Sequence, residues 1–172
     1  MPPTARAPHQ RDSRRGLRAL IPQRALVASL PFSATLRAGE VGAAIAAGLR
    51  AGGCADADVL ALGDDPHGAP GGPSAELEAP GTALELAGFD ERLRRARALI
   101  LAAARLERGR LRGTLELEIL TRARQAGVPA YAMCRDLRLD AFDARLLDLQ
   151  VAIEARTERS LTAAARRLAP LL

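Results

Sequence analysis

Acidic and arginine side chains follow predicted strands at positions where they could bind an anion. Glu107 lies among several arginines in one such segment, and Asp64 follows an earlier predicted strand. Guanidinium groups bind phosphate through paired hydrogen bonds, and the segment leads into a predicted helix whose first N–H groups suit an anion. A solvated arginine-rich loop with Glu107 as its ion-pair partner is the simpler interpretation, because specific sites are few. The candidate phosphate contacts of the segment are Arg105, Arg110, Arg112 and Gly113.

Two hydroxyl side chains lie at an earlier junction between a strand and a helix. Ser33 and Thr35 follow Pro31, which ends an apolar run of strand length. In many α/β proteins such a junction holds a phosphate, but this one has no glycine or lysine at its tip. Ser33 and Thr35 are therefore predicted first as helix caps and only second as phosphate ligands. Phe32 is predicted to anchor the turn in the core.

The basic charge of the chain is concentrated in its first residues. The formal net charge is +5, and residues 1–24 hold six arginines against one acid, Asp12. This segment, rich in proline and arginine, is predicted to be a disordered leader, and residues 25–172 a single domain. The domain is close to neutral and has few aromatic side chains on which bases could stack. Its composition argues against nucleic-acid binding.

Other side chains limit the chemistry further. All 25 basic residues are arginine, so lysine cannot act as phosphate ligand, Schiff base or general base. Cys54, Cys134 and the histidines have no metal-ligand spacing, which predicts structural thiols and no soft-ligand metal site. His67 is predicted to be solvated. No apolar run approaches the ~20 residues of a membrane span, and a cytoplasmic protein without a membrane partner is expected.

Alternating strands and helices predict the fold. Short apolar strands are expected at residues 26–30, 58–62, 97–101, 128–133 and 149–153. Helices are expected between them, among them 114–126 and a closing helix at 160–168 capped by Ser160. Residues 102–113 are predicted to form a loop. The pattern indicates a three-layer, Rossmann-like α/β fold, whose mainly parallel sheet has helices on both faces and ligands beyond the carboxyl ends of its strands.

Three stretches resemble the bacterial glycerate kinase family. Its Asp-Ser-Phe-Lys-Gly-Ser-Leu turn corresponds to Leu-Pro-Phe-Ser-Ala-Thr-Leu at residues 30–36. Its Leu-Gly-Phe-Asp-Glu-Arg-Leu is similar to residues 86–93, and its Ala-Gly-Val-Pro recurs at 126–129. Its Asp-Gly-Gly-Glu-Gly-Thr turn is matched here only at Asp64 and Gly68. The resemblance covers about residues 26–68 and the chain from about residue 75.

The resemblance implies a shortened relative of a two-domain kinase. Members of that family phosphorylate glycerate with ATP and magnesium, in a cleft between one domain and a second domain inserted into it. The insertion would fall within residues 63–80, where this chain has only a loop rich in glycine and proline. Edges left exposed by the missing domain would favour self-association, so a homodimer is expected.

The resemblance implies that certain residues carry out phosphoryl transfer, and this chain has other residues at those positions. The aspartate and lysine of the first turn are Leu30 and Ser33, and the final lysine of the second loop is Thr114. These changes predict a glycerate kinase-like protein that is catalytically impaired or inactive. One alternative is a binding module that holds a nucleotide or a phosphorylated metabolite, or pairs with a full-length kinase. In another, the enzyme stays active, Asp64 and Glu107 share the magnesium ion, and arginines replace lysines.

Overall fold

The computed structural model describes residues 24–54, 56–63 and 80–172. Arg24, the last residue of the predicted leader, opens the first strand. The predictions made for Asp64, for His67 and for most of the loop at 63–80 lie outside the described residues.

Five parallel strands form one sheet in the order β2-β1-β3-β4-β5. Parallel neighbours require crossover connections, and the helices between the strands provide them. The prediction of a three-layer α/β fold is confirmed. The strands are β1 (Arg24–Ser29), β2 (Ala57–Ala61), β3 (Ala96–Glu107), β4 (Ala130–Arg138) and β5 (Leu149–Glu154).

Six α-helices cover the two faces of this sheet. One face packs against the first and last helices, and its core includes Val27, Ile100 and Met133. The other face packs against the remaining helices, with Leu99 and Phe89 in its core. The helices are α1 (Ala38–Ala51), α2 (Pro80–Leu86), α3 (Phe89–Arg94), α4 (Leu115–Gln125), α5 (Ala141–Leu146) and α6 (Glu158–Leu168), with 3-10 turns at Arg108–Arg110 and Ala169–Leu171.

Helices α1 and α6 pack closely because glycines form part of their contact. A methyl group added to Gly48 would lie 2.3 Å from the carbonyl oxygen of Thr162 and 2.7 Å from Cβ of Ala165. At Gly52 it would lie 2.5 Å from the carbonyl oxygen of Arg166. The Thr162 hydroxyl also donates to the carbonyl of Ala44, 3.1 Å away. The aliphatic, small-residue composition thus lets the two helix backbones approach each other.

Strand β3 is longer than the sequence predicts. Residues 102–113 were expected to form a loop, but β3 runs to Glu107, and only a 3-10 turn and a short connection follow it. Leu106 is fully buried, and residues 103–107 pair with β4 from Cys134 to Arg138. Pairing with an equally extended β4 satisfies the backbone and places the end of β3 beyond the main sheet.

The caps of α1 and α6 also differ from prediction. Helix α1 begins after Arg37, whose backbone N–H donates to Glu40, 2.9 Å away, so neither Ser33 nor Thr35 caps it. Helix α6 is capped by Thr157, whose hydroxyl accepts from the backbone N–H of Ser160. In turn the backbone N–H of Thr157 donates to the hydroxyl of Ser160. In both helices the side chain of a residue in the first turn accepts a hydrogen bond from the backbone N–H of the residue that precedes the helix.

Phe32 and both cysteines lie in the interior. Phe32 is buried against the core of the α1 face, as predicted for an anchor of the turn. Cys54 and Cys134 are buried free thiols. Burial raises the pKa of the Cys134 thiol to about 12, with a smaller contribution from the Glu154 and Asp136 carboxylates, and this thiol is therefore protonated at neutral pH. Among the described residues, no helix is both long and apolar enough to cross a membrane.

Candidate functional site

A small cavity lined mainly by charged residues lies where β3 ends and α4 begins. Its volume is about 200 Å³. It brings together Arg105 and Glu107 on the extension of β3, Arg110 in the 3-10 turn, and the first turn of α4. Ligands of open α/β sheets bind beyond the carboxyl ends of the strands, and this cavity has that position. The described lining residues are Arg105, Glu107, Arg110, Leu111, Thr114 and Glu116.

Arg105 is held by carboxylates on both sides. Its Nη2 lies 2.7 Å from Oε2 of Glu107, and its Nε lies 3.5 Å from Oδ2 of Asp136. Asp136 is the register partner of Arg105 on β4, and it also accepts a bond of 2.8 Å from Arg138. The Arg105 side chain is 44% exposed, so solvent screens these pairs and leaves donors of the guanidinium accessible.

Arg110 is the cation of the cavity without a carboxylate partner. It makes no ion pair within the described part of the chain. By contrast Arg108, two residues earlier, pairs with Asp143 at 3.1 Å and lies over the Phe142 ring, 5.8 Å from its centroid. Arg108 is therefore tied to α5, while Arg110 has free donors at the cavity.

The first turn of α4 lines part of the cavity. Thr114 caps this helix: its hydroxyl donates to the carbonyl of Leu111 and accepts from the N–H of Leu117. Gly113 permits the turn before it, because its φ of +72° is a conformation that other residues resist. The first N–H groups of a helix lack acceptors within the helix and favour negative charge nearby.

Glu116 is a cavity residue that the sequence did not identify. It lies in the first turn of α4. An acidic residue at a helix start is ordinarily a response to the helix dipole, so its type carried no distinct signal. With Glu107 it gives the cavity two carboxylates beside two guanidinium groups. The cavity therefore offers both donors and acceptors, as a ligand with hydroxyl and anionic groups requires.

The first hydroxyl turn is separate from this cavity. The Ser33 hydroxyl accepts from the N–H of Leu36 at 3.1 Å and lies 3.2 Å from that of Thr35. Ser33 thus stabilises its own turn. Neither hydroxyl is among the described residues that line the cavity, and the same is true of Arg112 and Gly113.

The sheet register shows how far the extension of β3 reaches beyond the end of β1. Ser29, the last residue of β1, pairs with Ala61 on one side and Ala102 on the other. Glu107 lies five residues beyond Ala102, which corresponds to about 17 Å along an extended strand.

No group of three or more histidine, cysteine, aspartate or glutamate side chains is placed to hold a metal ion in residues 24–54, 56–63 and 80–172. The cavity is also smaller than the ~300–1,000 Å³ that is typical for larger ligands. Its size suits a molecule of a few heavy atoms.

Two other surface depressions lie beside the helices. One of about 450 Å³ surrounds Arg122, which bonds to Glu118 and Asp90 at 2.8 Å each and to the carbonyl of Gly81. These partners already use the donors of Arg122, and they join α2, α3 and α4. A wider depression of about 980 Å³ follows the exposed side of α6 from Thr157 to Arg167.

Comparison with known proteins assigns no family. Neither a family model nor a curated protein matches the chain. The fold and cavity define an α/β protein with a small cavity, lined mainly by charged residues, at the carboxyl edge of its sheet.

Proposed function

We propose that this chain is a glycerate kinase-like α/β protein that binds a small carboxylate- or phosphate-bearing metabolite with little or no phosphoryl transfer. The observation that carries the proposal is Arg110, a cation without an ion-pair partner in the described chain, beside the first turn of α4. Arg105 supplies a second guanidinium in the same cavity. The carboxylate or phosphate of the ligand is recognised by these donors and by the helix start.

The mixed lining favours a ligand that also carries hydroxyl groups. Glu107 and Glu116 are acceptors and would repel a highly charged anion. A small hydroxy acid, or its phosphate ester, presents hydroxyl donors to these carboxylates and an anionic group to Arg110. Net charge in the cavity is balanced, so selectivity comes from the placement of donors and acceptors.

Efficient phosphoryl transfer needs more positive charge than the described cavity supplies. The transferring group carries charge on three equatorial oxygens, which kinases neutralise with metal ions and cations aimed at them. Here Arg105 is already paired with Glu107 and Asp136, and Thr114 caps α4 where the family has a lysine. We therefore assign binding to the cavity and no chemical step.

Ligand-dependent thermal unfolding tests this proposal. The probes are D-glycerate, phosphoglycerate and inorganic phosphate, each titrated into the full-length protein. A ligand at 100 times its Kd stabilises a protein by about 2.7 kcal/mol, which raises the Tm by roughly 5–11 °C at this chain length. Arg110→Ala should weaken binding by about tenfold to hundredfold, because a charged hydrogen bond is lost.

Arg112→Ala is the matched control. Arg112 has the same charge, lies two residues from Arg110 and is not among the residues that line the cavity. Equal losses in both variants would mean that general charge, not the cavity, attracts the probes. A coupled ADP-release assay with ATP, magnesium and D-glycerate completes the test, since turnover above background would contradict the absence of phosphoryl transfer.

A further inference from the structure

Two short elements that follow strand ends have no fully buried residue of their own. The 3-10 turn Arg108–Arg110 follows β3, carries the cavity residue Arg110 and is exposed along its whole length. Helix α5 follows β4 and only partly buries Ala144 and Leu147 against the core. A segment without buried side chains gains little from the hydrophobic effect. The position of the turn therefore depends on its polar contacts and on the chain that flanks it.

Arg108 joins this turn to α5 through two contacts of one guanidinium group. Its Nη1 donates to Oδ1 of Asp143, 3.1 Å away, and its Cζ lies over the Phe142 ring, 5.8 Å from the centroid. The Asp143 side chain is only 14% exposed, so solvent screens this ion pair less than a pair between two exposed groups. A guanidinium over an aromatic face is attracted to it as well. Arg108 thus holds the turn and α5 together.

The side chains of Arg108 and Arg110 leave the turn in different directions. A 3-10 helix has about three residues per turn, so residues two apart are separated by about 240° around its axis. Arg110 lines the cavity, whereas Arg108 reaches α5 and is not among the described residues that line the cavity. Leu111, which follows the turn, is buried and holds its other end. The contacts of Arg108 therefore help to fix the backbone from which Arg110 reaches the cavity.

We propose that Arg108 is a positioning residue for Arg110 and that it couples the cavity to α5. This inference rests on the proposed function, because it concerns the ligand of the same cavity. While Asp143 and Phe142 hold Arg108, the turn keeps Arg110 beside the first turn of α4, where the anionic group of the ligand binds. Without these contacts the turn adopts other positions, and the ligand has to order it on binding. That ordering lowers the affinity.

The coupling acts in both directions. If the contacts with α5 favour the arrangement that binds the ligand, the bound ligand favours those contacts by the same factor. Ligand binding should therefore reduce local opening of α5. The amides of Ala144 and Leu147 donate to the carbonyls of Asp140 and Asp143 within this helix. Hydrogen exchange at these two amides measures how often the helix opens.

Substitutions in α5 separate positioning from general electrostatics. Asp143→Ala removes a negative charge, which by charge alone would strengthen the binding of an anion. Loss of the ion pair with Arg108 should instead weaken the binding of inorganic phosphate and D-glycerate by about twofold to fivefold. Phe142→Leu leaves the net charge unchanged and should weaken binding by a similar factor, about twofold to fivefold. Leu146→Ala is the control on the same helix, because Leu146 takes part in neither contact.

Calorimetric titration of the full-length protein gives the dissociation constants, and hydrogen exchange gives a second readout. In the wild type, saturating phosphate should slow exchange at Ala144 and Leu147 by about twofold to fivefold. The slowing should be absent in Arg108→Ala, in which the turn and α5 are no longer joined. Circular dichroism shows whether each variant is folded. If Arg108→Ala does not fold, Asp143→Ala and Phe142→Leu decide by both readouts.

Failure of this proposal and failure of the proposed function give different results. If neither probe binds the wild type, or if Arg110→Ala binds as tightly, the proposed function is wrong and the positioning role is wrong with it. If the probes bind through Arg110 but Asp143→Ala or Phe142→Leu binds with wild-type or higher affinity, the positioning role alone is wrong. An equal loss in Leu146→Ala would show that the stability of α5, not Arg108, controls binding. Exchange at α5 that phosphate leaves unchanged would contradict the coupling.

Discussion

Replacing Gly48 by alanine should have two opposing effects on stability: it raises the helix propensity of α1 and it introduces a steric conflict with α6. Alanine is favoured over glycine inside a helix by roughly 0.5–1 kcal/mol. The added methyl group would, however, lie 2.3 Å from the carbonyl oxygen of Thr162 and 2.7 Å from Cβ of Ala165. Neither the backbone oxygen nor the short Ala165 side chain can rotate away, so α1 and α6 must separate. Overpacking of this kind costs typically 1–3 kcal/mol, and the net expected loss is about 1–2 kcal/mol.

Thermal and urea unfolding followed by circular dichroism measure this loss. A loss of 1–2 kcal/mol lowers the Tm by roughly 2–8 °C for a chain of this length. Gly109→Ala is the matched control, because a methyl group at Gly109 meets no atom within 4 Å and should change the Tm little. An unchanged or raised Tm for Gly48→Ala would show that α1 and α6 do not pack as closely as described.

Two further predictions concern side chains buried in the sheet. The Ser29 hydroxyl is buried without a hydrogen-bond partner in the described chain, so Ser29→Ala should stabilise the protein by about 1 kcal/mol, and a lower urea midpoint would contradict this explanation. The pKa of Cys134 is raised to about 12 from 9.0, so the folded protein holds this proton more tightly than the unfolded chain does. The stabilisation is complete below pH 9 and is lost as the pH rises towards 12. The urea midpoint of the wild type should accordingly fall more steeply over that range than that of Cys134→Ala, and parallel curves would refute the assignment.

Much of the fold could be predicted because hydrophobic periodicity and glycine positions agree with the tertiary structure. Val41 and Ile45 are four residues apart, a spacing that predicts one apolar helix face, and both are buried in α1, which ends at Gly52. The extension of β3 was not predictable from its own residues. Small and charged residues from 102 to 105 resemble a loop, and their strand conformation depends on pairing with β4, far along the chain.

The site was predictable in composition but not in arrangement. Arg105, Glu107 and Arg110 were candidates by type, and the structure brings them around one cavity. The hydroxyls of Ser33 and Thr35 were candidates on the same grounds, but they bond within their own turn. The register and the length of the strands decide which strand ends lie side by side at the edge of the sheet. The residues of one segment alone do not determine either property.

The contact between α1 and α6 has a consequence during protein synthesis. The hydrogen bond from Thr162 to Ala44 joins residues 118 positions apart. At typical elongation rates of 5–20 residues per second, a ribosome needs about 6 to 24 s to make the intervening chain. Throughout that interval the apolar face of α1 lacks the helix that covers it, so the nascent chain is exposed to aggregation until its last helix emerges.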